Sequence, residues 1–320
     1  MMAPMCTRIF WNENPIAQVV ARTIDWEISD EPDLWVLPRG IARHGDAGDG
    51  SATWVSRYGS VSASGWRAGT GEGVNERGLA AHALYLGAAG YEPPDDRPTV
   101  SNVMWTQYVL DHFATVAEAL EGLAAVRIVP MRIHDQDMPL HLALEDATGD
   151  CAIVEMLDGA PVVHHGREHN VMANDPTYDE QLANLRRYRG FGGDEPVPGD
   201  IVSAERFVRA SYFLRHLPEP ADELEAVAGV IGLGRNVSIP QGAPDNRFET
   251  YPTWWLSATD LTNRVFYFQH TRTPNVIWLE LDELDFAEGA AILSLNPRDT
   301  SLVGDVRDRL APAELPFGVA

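Results

Sequence analysis

A cysteine close to the start of the chain could support nucleophilic chemistry. Cys6 follows the short segment MMAPM, and the sequence of 320 residues contains two cysteines, Cys6 and Cys151. If the preceding residues are removed, the α-amino group of Cys6, with a reference pKa of about 7.7–8.0, could act as general base for its own thiol. The alternative is an inert buried thiol, which the residue type alone favours because free cysteines are usually buried.

The residues after Cys6 could bring charged groups beside it. TRIFW and IAQVVARTI are apolar, β-branched segments separated by the turn-forming NENP, which predicts an antiparallel hairpin. A turn centred near Asn14 would place Arg22 opposite Cys6 and Asp25 just past the end of the partner strand. A cationic neighbour lowers the pKa of a thiol, so this pairing predicts a more reactive sulfur. Asp25 could equally be a surface partner of Arg22.

The elements that would position these residues come in groups. Strands are predicted at TWVSRYGSVSAS, LAAHALYL, LHLALED, CAIVEML, VVHH and VMAN, and a further hairpin at TWWLSATDLTNRVFYFQH. Two consecutive helices are predicted between Ser101 and Val126, with Thr115 and Glu118 as a capping box. Further helices are predicted at YDEQLANLRRY, SAERFVRASYFLRHL and ADELEAVAGVIGLG, the last closed by its glycines. Grouped strands and paired helices favour an α+β layered domain with largely antiparallel sheets.

Composition limits the classes of partner and cofactor. The formal net charge of −23 argues against nucleic acid or an anionic membrane, because phosphate binding needs Lys and Arg. No apolar run is long enough to cross a bilayer, and MMAPM lacks the features of a secretory signal. Two cysteines cannot form a four-thiolate zinc site, and the adjacent His164 and His165 would point to opposite faces of a strand, which argues against a shared metal ion. The segment GTGEG lacks the Lys of a phosphate-binding loop and predicts a flexible turn. We predict a cytoplasmic protein without metal or cofactor, or a periplasmic one if an upstream signal is missing.

A set of motifs extends over most of the chain. They are MCT at Met5–Thr7, ARTIDW at Ala21–Trp26, LWVLPRG at Leu34–Gly40, GVNERGL at Gly73–Leu79, VMANDPTYDEQLANL at Val171–Leu185 and SAERFVRASYF at Ser203–Phe213. In this order and spacing they resemble the choloylglycine hydrolase family of N-terminal-nucleophile hydrolases, which includes penicillin V acylases and conjugated bile salt hydrolases. MCTRIF and LWVLPRG most resemble the penicillin V acylase-like branch typical of Gram-negative bacteria, whose members also cleave N-acyl homoserine lactones.

The resemblance implies a fold and a polar catalytic cluster. The expected fold is a four-layer αββα sandwich, formed by residues 1–320 as one domain, with residues 1–5 removed to expose the cysteine. The implied cluster comprises Cys6, Arg22, Asp25, Tyr85, Asn174 and Arg206. In it Cys6 is the nucleophile, Arg22 lies against it, and Asp25 holds the free α-amino group.

The remaining members of the cluster would stabilise the reaction intermediate. Amide hydrolysis passes through a tetrahedral oxyanion, and each preorganised donor aimed at it is worth about 2.7–4 kcal/mol. The resemblance assigns this task to the Asn174 side chain and to the backbone N–H of Tyr85, which stands where bile salt hydrolases carry Asn, and Arg206 completes the cluster. From the residues alone, Asn174 would be a turn residue before Asp175, Tyr85 a core tyrosine and Arg206 part of a polar helix face.

Aromatic residues could line an acyl pocket. The candidates are Trp26, Trp35, Trp66, Tyr85, Trp254 and Trp255, most of which would be core, whereas Trp26 and Tyr85 lie beside proposed catalytic positions. We predict a cofactor-free amidohydrolase of a small-molecule acyl amide, with penicillin V and N-acyl homoserine lactones as favoured substrates. The alternatives are a conjugated bile salt hydrolase, or a non-catalytic acyl-ligand binder if Cys6 is never liberated. The resemblance also implies a homo-oligomer, either a tetramer or a dimer.

Overall fold

The structure is a computed structural model that describes residues 6–133, 135–244 and 251–319. The predicted removal of Met1–Met5 lies outside the described residues. Cys6 is the first residue described, and the other members of the predicted cluster also lie within the described ranges.

Within these ranges the chain forms short strands and a smaller number of helices. The helices are α1 (Trp105–His112), α2 (Val116–Gly122), α3 (Tyr178–Leu185), α4 (Ser203–Leu214) and α5 (Glu223–Val237). The strands are β1 (Thr7–Trp11), β2 (Val19–Asp25), β3 (Asp33–Leu37), β4 (Ala42–His44), β5 (Thr53–Val55), β6 (Ser60–Gly65), β7 (Gly69–Asn75), β8 (Leu79–Tyr85), β9 (Thr99–Ser101), β10 (Arg127–Val129), β11 (Arg132–Ile133), β12 (Gln136–Asp137), β13 (Leu140–Asp146), β14 (Cys151–Leu157), β15 (Ala160–His165), β16 (Val171–Ala173), β17 (Thr253–Asp260), β18 (Val265–His270), β19 (Ile277–Glu280), β20 (Leu293–Leu295), β21 (Gly304–Asp305) and β22 (Ala311–Pro312).

Two large sheets contain most of these strands. Sheet A has the order β16-β1-β2-β17-β18-β19-β21, and sheet B has the order β15-β14-β13-β8-β7-β6-β3-β20-β22. Neighbouring strands in the described parts of both sheets run antiparallel, apart from the parallel pair β19–β21. The prediction of largely antiparallel sheets is therefore confirmed.

The sheets face each other and carry helices on their outer sides. Phe10 and Val20 of sheet A belong to the apolar core between the sheets. Helices α4 and α5 pack on the outer face of sheet A, whereas α1 packs on β7 and β8 of sheet B. This layering confirms the predicted αββα sandwich, because each sheet buries one face against its partner and the other against helices. Among the described residues, none of the helices has the length and apolar character needed to cross a membrane.

The opening hairpin forms as predicted, but its predicted register is wrong. Arg22 lies opposite Arg8 instead of Cys6, and Asp25 is the last residue of β2 instead of following it. The connection is longer than a tight turn because the buried Asn14 side chain donates hydrogen bonds to backbone carbonyls on both sides of it. The predicted pairing is displaced by two residues, and because side chains alternate between the faces of a strand, an even displacement leaves each on its predicted face. Cys6 and Arg22 therefore still share a face of sheet A.

Two further local predictions need correction. The segment GTGEG, predicted as a flexible turn, lies in β7; a Cβ at Gly73 would come within 2.6 Å of the Val61 carbonyl oxygen, so the glycine permits close packing. Helix α5 continues through its glycines to Val237, since that end packs in the core, and does not stop at them. One half of the predicted capping box of α2 forms, since the Thr115 hydroxyl accepts from the Glu118 N–H at 3.2 Å. The Glu118 carboxylate accepts from the Ala114 N–H at 2.8 Å instead of from Thr115.

Candidate active site

Cys6 lies immediately before β1, buried beside the guanidinium of Arg22. The Nη2 atom of Arg22 is 3.8 Å from Cys6 Sγ and donates a hydrogen bond of 2.8 Å to the Ala83 carbonyl of β8. A carbonyl of sheet B therefore holds the Arg22 guanidinium beside the Cys6 thiol, which lies next to the first strand of sheet A. Burial raises the pKa of the Cys6 thiol, and the Arg22 guanidinium acts against that shift. The buried thiol accordingly needs a base to become the thiolate nucleophile.

Asn174 follows β16 and faces Cys6 across the pairing of β16 with β1. Thr7 pairs with Ala173, so the next residue outward on each strand is Cys6 and Asn174, respectively. The Asn174 Oδ1 atom accepts a hydrogen bond of 3.0 Å from the Cys6 backbone nitrogen. Gln181 of α3 donates to the Asn174 carbonyl at 3.0 Å and fixes the turn after the strand. Because Oδ1 accepts here, Nδ2 is the group with which this side chain can donate.

Tyr85 ends β8, and its backbone N–H points toward the edge that holds Arg22. The Leu86 N–H donates to the Pro139 carbonyl of the β13 side at 3.0 Å. Main-chain groups alternate sides along an antiparallel strand, so the Tyr85 N–H points away from β13. The Ala83 carbonyl, two residues earlier, points the same way and accepts from Arg22. The N–H that the family resemblance implies as an oxyanion donor is thus directed to the side of the strand where Arg22 lies.

Asp25 and Arg206 form a buried ion pair on the helix-bearing face of sheet A. Arg206 Nη1 donates to Asp25 Oδ2 at 2.7 Å and to the Val237 carbonyl of α5 at 3.0 Å. The hydroxyls of Thr23 and Thr253 also donate to the Asp25 carboxylate. Burial raises the pKa of the Asp25 carboxyl, and the Arg206 guanidinium opposes the shift. Sequence reasoning missed both threonines, although Thr23, two residues before Asp25 on one strand, shares its face.

The structure therefore places the predicted cluster in two groups, one on each face of β2: the group around Cys6 and the Asp25–Arg206 ion pair. Thr23 links them, since its hydroxyl accepts from the Thr7 N–H at 3.2 Å and donates to Asp25 at 3.1 Å. The Cys6 nitrogen is an amide in this chain and donates to Asn174. The role of Asp25 toward a free α-amino group stays a prediction.

A largely apolar cavity opens beside Cys6. It encloses about 620 Å³ of space between atoms, part of it open to solvent. Trp26 stands at the centre of its aromatic wall, with its ring edge-on to Trp66 at 5.3 Å and to Tyr85 at 6.3 Å between centroids. Trp26, Trp66 and Tyr85 all line this cavity, and a role for Trp26 and Tyr85 in substrate binding stays a prediction.

The other three tryptophans predicted as pocket candidates divide between the cavity and the core. Trp255 lines the cavity, whereas Trp35 and Trp254 are buried in the core. The Trp255 indole Nε1 donates to the carboxylate of Asp30, a lining residue that sequence reasoning missed, at 2.9 Å. Burial raises the pKa of Asp30 from 3.8 to about 6, and the Trp255 hydrogen bond opposes the shift.

The titration of Asp30 predicts a pH-dependent contribution to stability. The folded state keeps the Asp30 proton to about pH 6, whereas the unfolded chain releases it near pH 4, so stability from this group is lost as pH rises between those values. We expect Asp30→Asn, which cannot ionise, to raise the free energy of unfolding by up to about 3 kcal/mol near pH 7.5, and to change it little near pH 4. Urea unfolding of both proteins at the two pH values measures the difference. Glu31→Gln, a change at the adjacent exposed residue, is the control, and an equal gain at both pH values would contradict the titration.

Comparison with known proteins places the chain among amide hydrolases. Residues 6–294 match the family described as linear amide C–N hydrolases, choloylglycine hydrolase family. A penicillin V acylase from Pectobacterium atrosepticum is 35% identical, with the match covering 98% of this chain and 92% of the relative. A bile salt hydrolase/transferase from Bifidobacterium longum is 28% identical over 77% of this chain and 86% of the relative.

Solved structures show the same arrangement of layers. The penicillin V acylase from Agrobacterium tumefaciens superimposes with a TM-score of 0.89 at 38% identity, covering 98% of this chain and 99% of the other. A conjugated bile acid hydrolase from Clostridium perfringens, at 19% identity, shares the fold with a TM-score of 0.76 over 91% of this chain and 96% of the other.

Proposed function

Because the chain belongs to the choloylglycine hydrolase family of linear amide C–N hydrolases, we propose that it is a penicillin V acylase-like enzyme with Cys6 as its nucleophile. The observation that carries the assignment of Cys6 is its Sγ atom, 3.8 Å from Arg22 Nη2 at an apolar, aromatic-lined cavity. Removal of residues 1–5 would convert the Cys6 amide nitrogen into an α-amino group. That group would supply the base that the buried thiol needs.

The proposed reaction begins with proton transfer from the thiol to the α-amino group. The thiolate, stabilised by Arg22, attacks the substrate carbonyl carbon and forms a C–S bond. Asn174 Nδ2 and the Tyr85 N–H donate to the oxyanion. Collapse breaks the C–N bond, the leaving amine takes the proton from the α-ammonium group, and water then hydrolyses the thioester to release the acid. The buried Asp25, fixed by Arg206, provides the negative charge that would hold the α-amino group.

The cavity supports an apolar or aryl acyl group as the part of the substrate that is bound. The ring edges and faces of Trp26 and Trp66 suit an aromatic group such as the phenoxyacetyl group of penicillin V. Aliphatic lining residues, among them Ile24, Met138 and Leu140, favour N-acyl homoserine lactones as a second candidate substrate. Conjugated bile salts are the alternative within the family.

Intact-mass measurement and a substrate panel test the proposed function together. We expect a mature chain that begins at Cys6 and that releases the free amine from penicillin V faster than from N-acyl homoserine lactones or conjugated bile salts. A chain that retains Met1 and hydrolyses none of them would instead support an acyl-ligand binder without catalysis. We also propose a homo-oligomer, either a dimer or a tetramer, which light scattering on the same sample would test.

Trp66→Ala is expected to raise KM for penicillin V about tenfold and to change kcat much less. The variant removes an aromatic wall from the cavity, and burial of such a side chain against a ligand is worth about 1.5–3 kcal/mol. Trp54→Ala is the matched control, because Trp54 is also half-buried and edge-on to another aromatic ring, that of Tyr108 at 5.2 Å, but does not line this cavity. Steady-state kinetics measure both, and an unchanged KM in Trp66→Ala would remove this wall from acyl recognition.

A further inference from the structure

A series of buried charged side chains extends from Arg22 into the space between the sheets. Arg22 Nη1 lies 3.8 Å from Glu72 Oε2, and that oxygen lies 2.7 Å from His82 Nδ1. On its other side, His82 Nε2 lies 2.5 Å from Glu145 Oε1, and Glu145 is paired with Arg8. All of these side chains are 2% exposed or less. The reaction proposed for Cys6 does not use Glu72 or the residues beyond it.

The contacts of His82 favour its protonated, imidazolium form. A neutral imidazole has one N–H group, so one ring nitrogen would face a carboxylate oxygen without a proton between them. Both nitrogens of His82 face carboxylates, and Glu145 and Glu72 together raise its pKa above the ordinary value despite burial. The positive ring therefore fixes Glu72 in place from the side opposite Arg22.

Glu72 is in turn one of three groups that restrain the Arg22 guanidinium. The Ala83 carbonyl accepts from Nη2, the Trp255 ring lies 5.2 Å from the guanidinium carbon, and Glu72 attracts Nη1. The Nη2 atom that donates to Ala83 is also the atom nearest Cys6 Sγ, at 3.8 Å. A shift of the Nη1 side would therefore turn Nη2 away from the sulfur.

We propose that Glu72, held by His82, is a positioning residue that orients Arg22 toward Cys6. The proposal rests on the proposed function of Cys6 as the nucleophile. A purely structural role for Glu72 predicts no particular direction of change in the pKa of the Cys6 thiol, whereas this proposal does. Loss of the Glu72 charge leaves Arg22 less neutralised, which lowers the pKa of the Cys6 thiol, while loss of orientation slows the reaction.

Other charged side chains also act on this site. Those acting on Cys6 are Arg22 and Asp25 of β2 and Arg206 of α4. Asp30, at the cavity wall, also lies in the field of Arg22 and Glu72. Because a Glu72 variant retains all of them, a change in the thiol pKa is assigned to Glu72 itself.

Glu72→Gln tests the proposal through two readouts, the turnover number and the pKa of the Cys6 thiol. We expect kcat for penicillin V to fall about 10–100-fold with KM nearly unchanged. We expect the pH midpoint of Cys6 alkylation by iodoacetamide, followed by peptide mass spectrometry, to move to lower pH. Asp111→Asn is the matched control, since it removes another buried carboxylate that is paired with an arginine, Arg43, at 3.1 Å. It should lower thermal stability without moving kcat or the midpoint.

An unchanged kcat or an unchanged midpoint in folded Glu72→Gln would overturn the proposal. If that variant does not fold, Glu72→Asp decides, because it keeps the charge but withdraws the carboxylate from Arg22. In Glu72→Asp, a lower kcat with an unchanged pH midpoint of Cys6 alkylation supports the positioning role, and full activity overturns the proposal. If the wild type hydrolyses none of the substrates, the proposed function fails, while the midpoint in Glu72→Gln still shows whether Glu72 acts on Cys6 through Arg22.

Discussion

Cys6→Ala is expected to lower kcat for amide hydrolysis by about four orders of magnitude or more, because loss of a nucleophile leaves only binding and oxyanion stabilisation. The control is Cys151→Ala, which removes the other thiol, a buried group that donates to the Gly166 carbonyl at 3.2 Å. We expect this control to retain activity. Release of the free amine from penicillin V measures both variants. Substantial turnover by folded Cys6→Ala would exclude Cys6 from the reaction.

The unprocessed chain gives a second test of the same role. While residues 1–5 remain, the Cys6 nitrogen is an amide and cannot accept a proton near neutral pH. We therefore expect unprocessed protein, separated by intact mass, to be nearly as inactive as Cys6→Ala although its thiol is present. Equal activity of processed and unprocessed chains would mean that another group is the base.

Most strands and helices could be predicted from the sequence because their signals are local, whereas the four-layer order follows from the family resemblance. The β-branched and aromatic residues of TRIFW, the alternation in LHLALED and the helical spacing in SAERFVRASYFLRHL each depend on a few neighbouring residues. The register of the first hairpin depends on how the Asn14 side chain ties the loop together, which the turn-forming residues alone do not specify. The sequence nevertheless predicts Arg22 beside Cys6, because an error of two residues keeps each side chain on its face.

The residues around the proposed nucleophile were harder to predict because distant strands supply them. Thr253 reaches Asp25 only through the pairing of β17 with β2. Glu72 and His82 meet across β7 and β8, and GTGEG has the composition of a turn although its glycines lie in a strand, where they permit close packing. A sequence signal was nevertheless present: His82 interrupts the apolar segment LAAHALYL, and a charged group in a buried strand needs a partner.

Asn174→Ala is expected to lower kcat about 10²–10³-fold, the usual cost of losing one oxyanion donor. The substitution removes two tasks together: in the structure Oδ1 accepts from the Cys6 nitrogen at 3.0 Å, and in the proposed mechanism Nδ2 donates to the oxyanion. Asn184→Ala, in α3, is the control and should leave kcat unchanged. Steady-state kinetics with penicillin V measure both.

Asn174→Asp separates the two tasks, because an ionised carboxylate can accept from the Cys6 nitrogen but cannot donate to an oxyanion. If donation is what matters, its kcat should stay as low as that of Asn174→Ala. The added negative charge should also raise the pKa of the Cys6 thiol, so kcat is compared at a pH above the alkylation midpoint of each variant. Recovery of wild-type kcat under that condition would mean that Asn174 only anchors the Cys6 nitrogen. The oxyanion would then depend on the Tyr85 N–H and on donors other than this side chain.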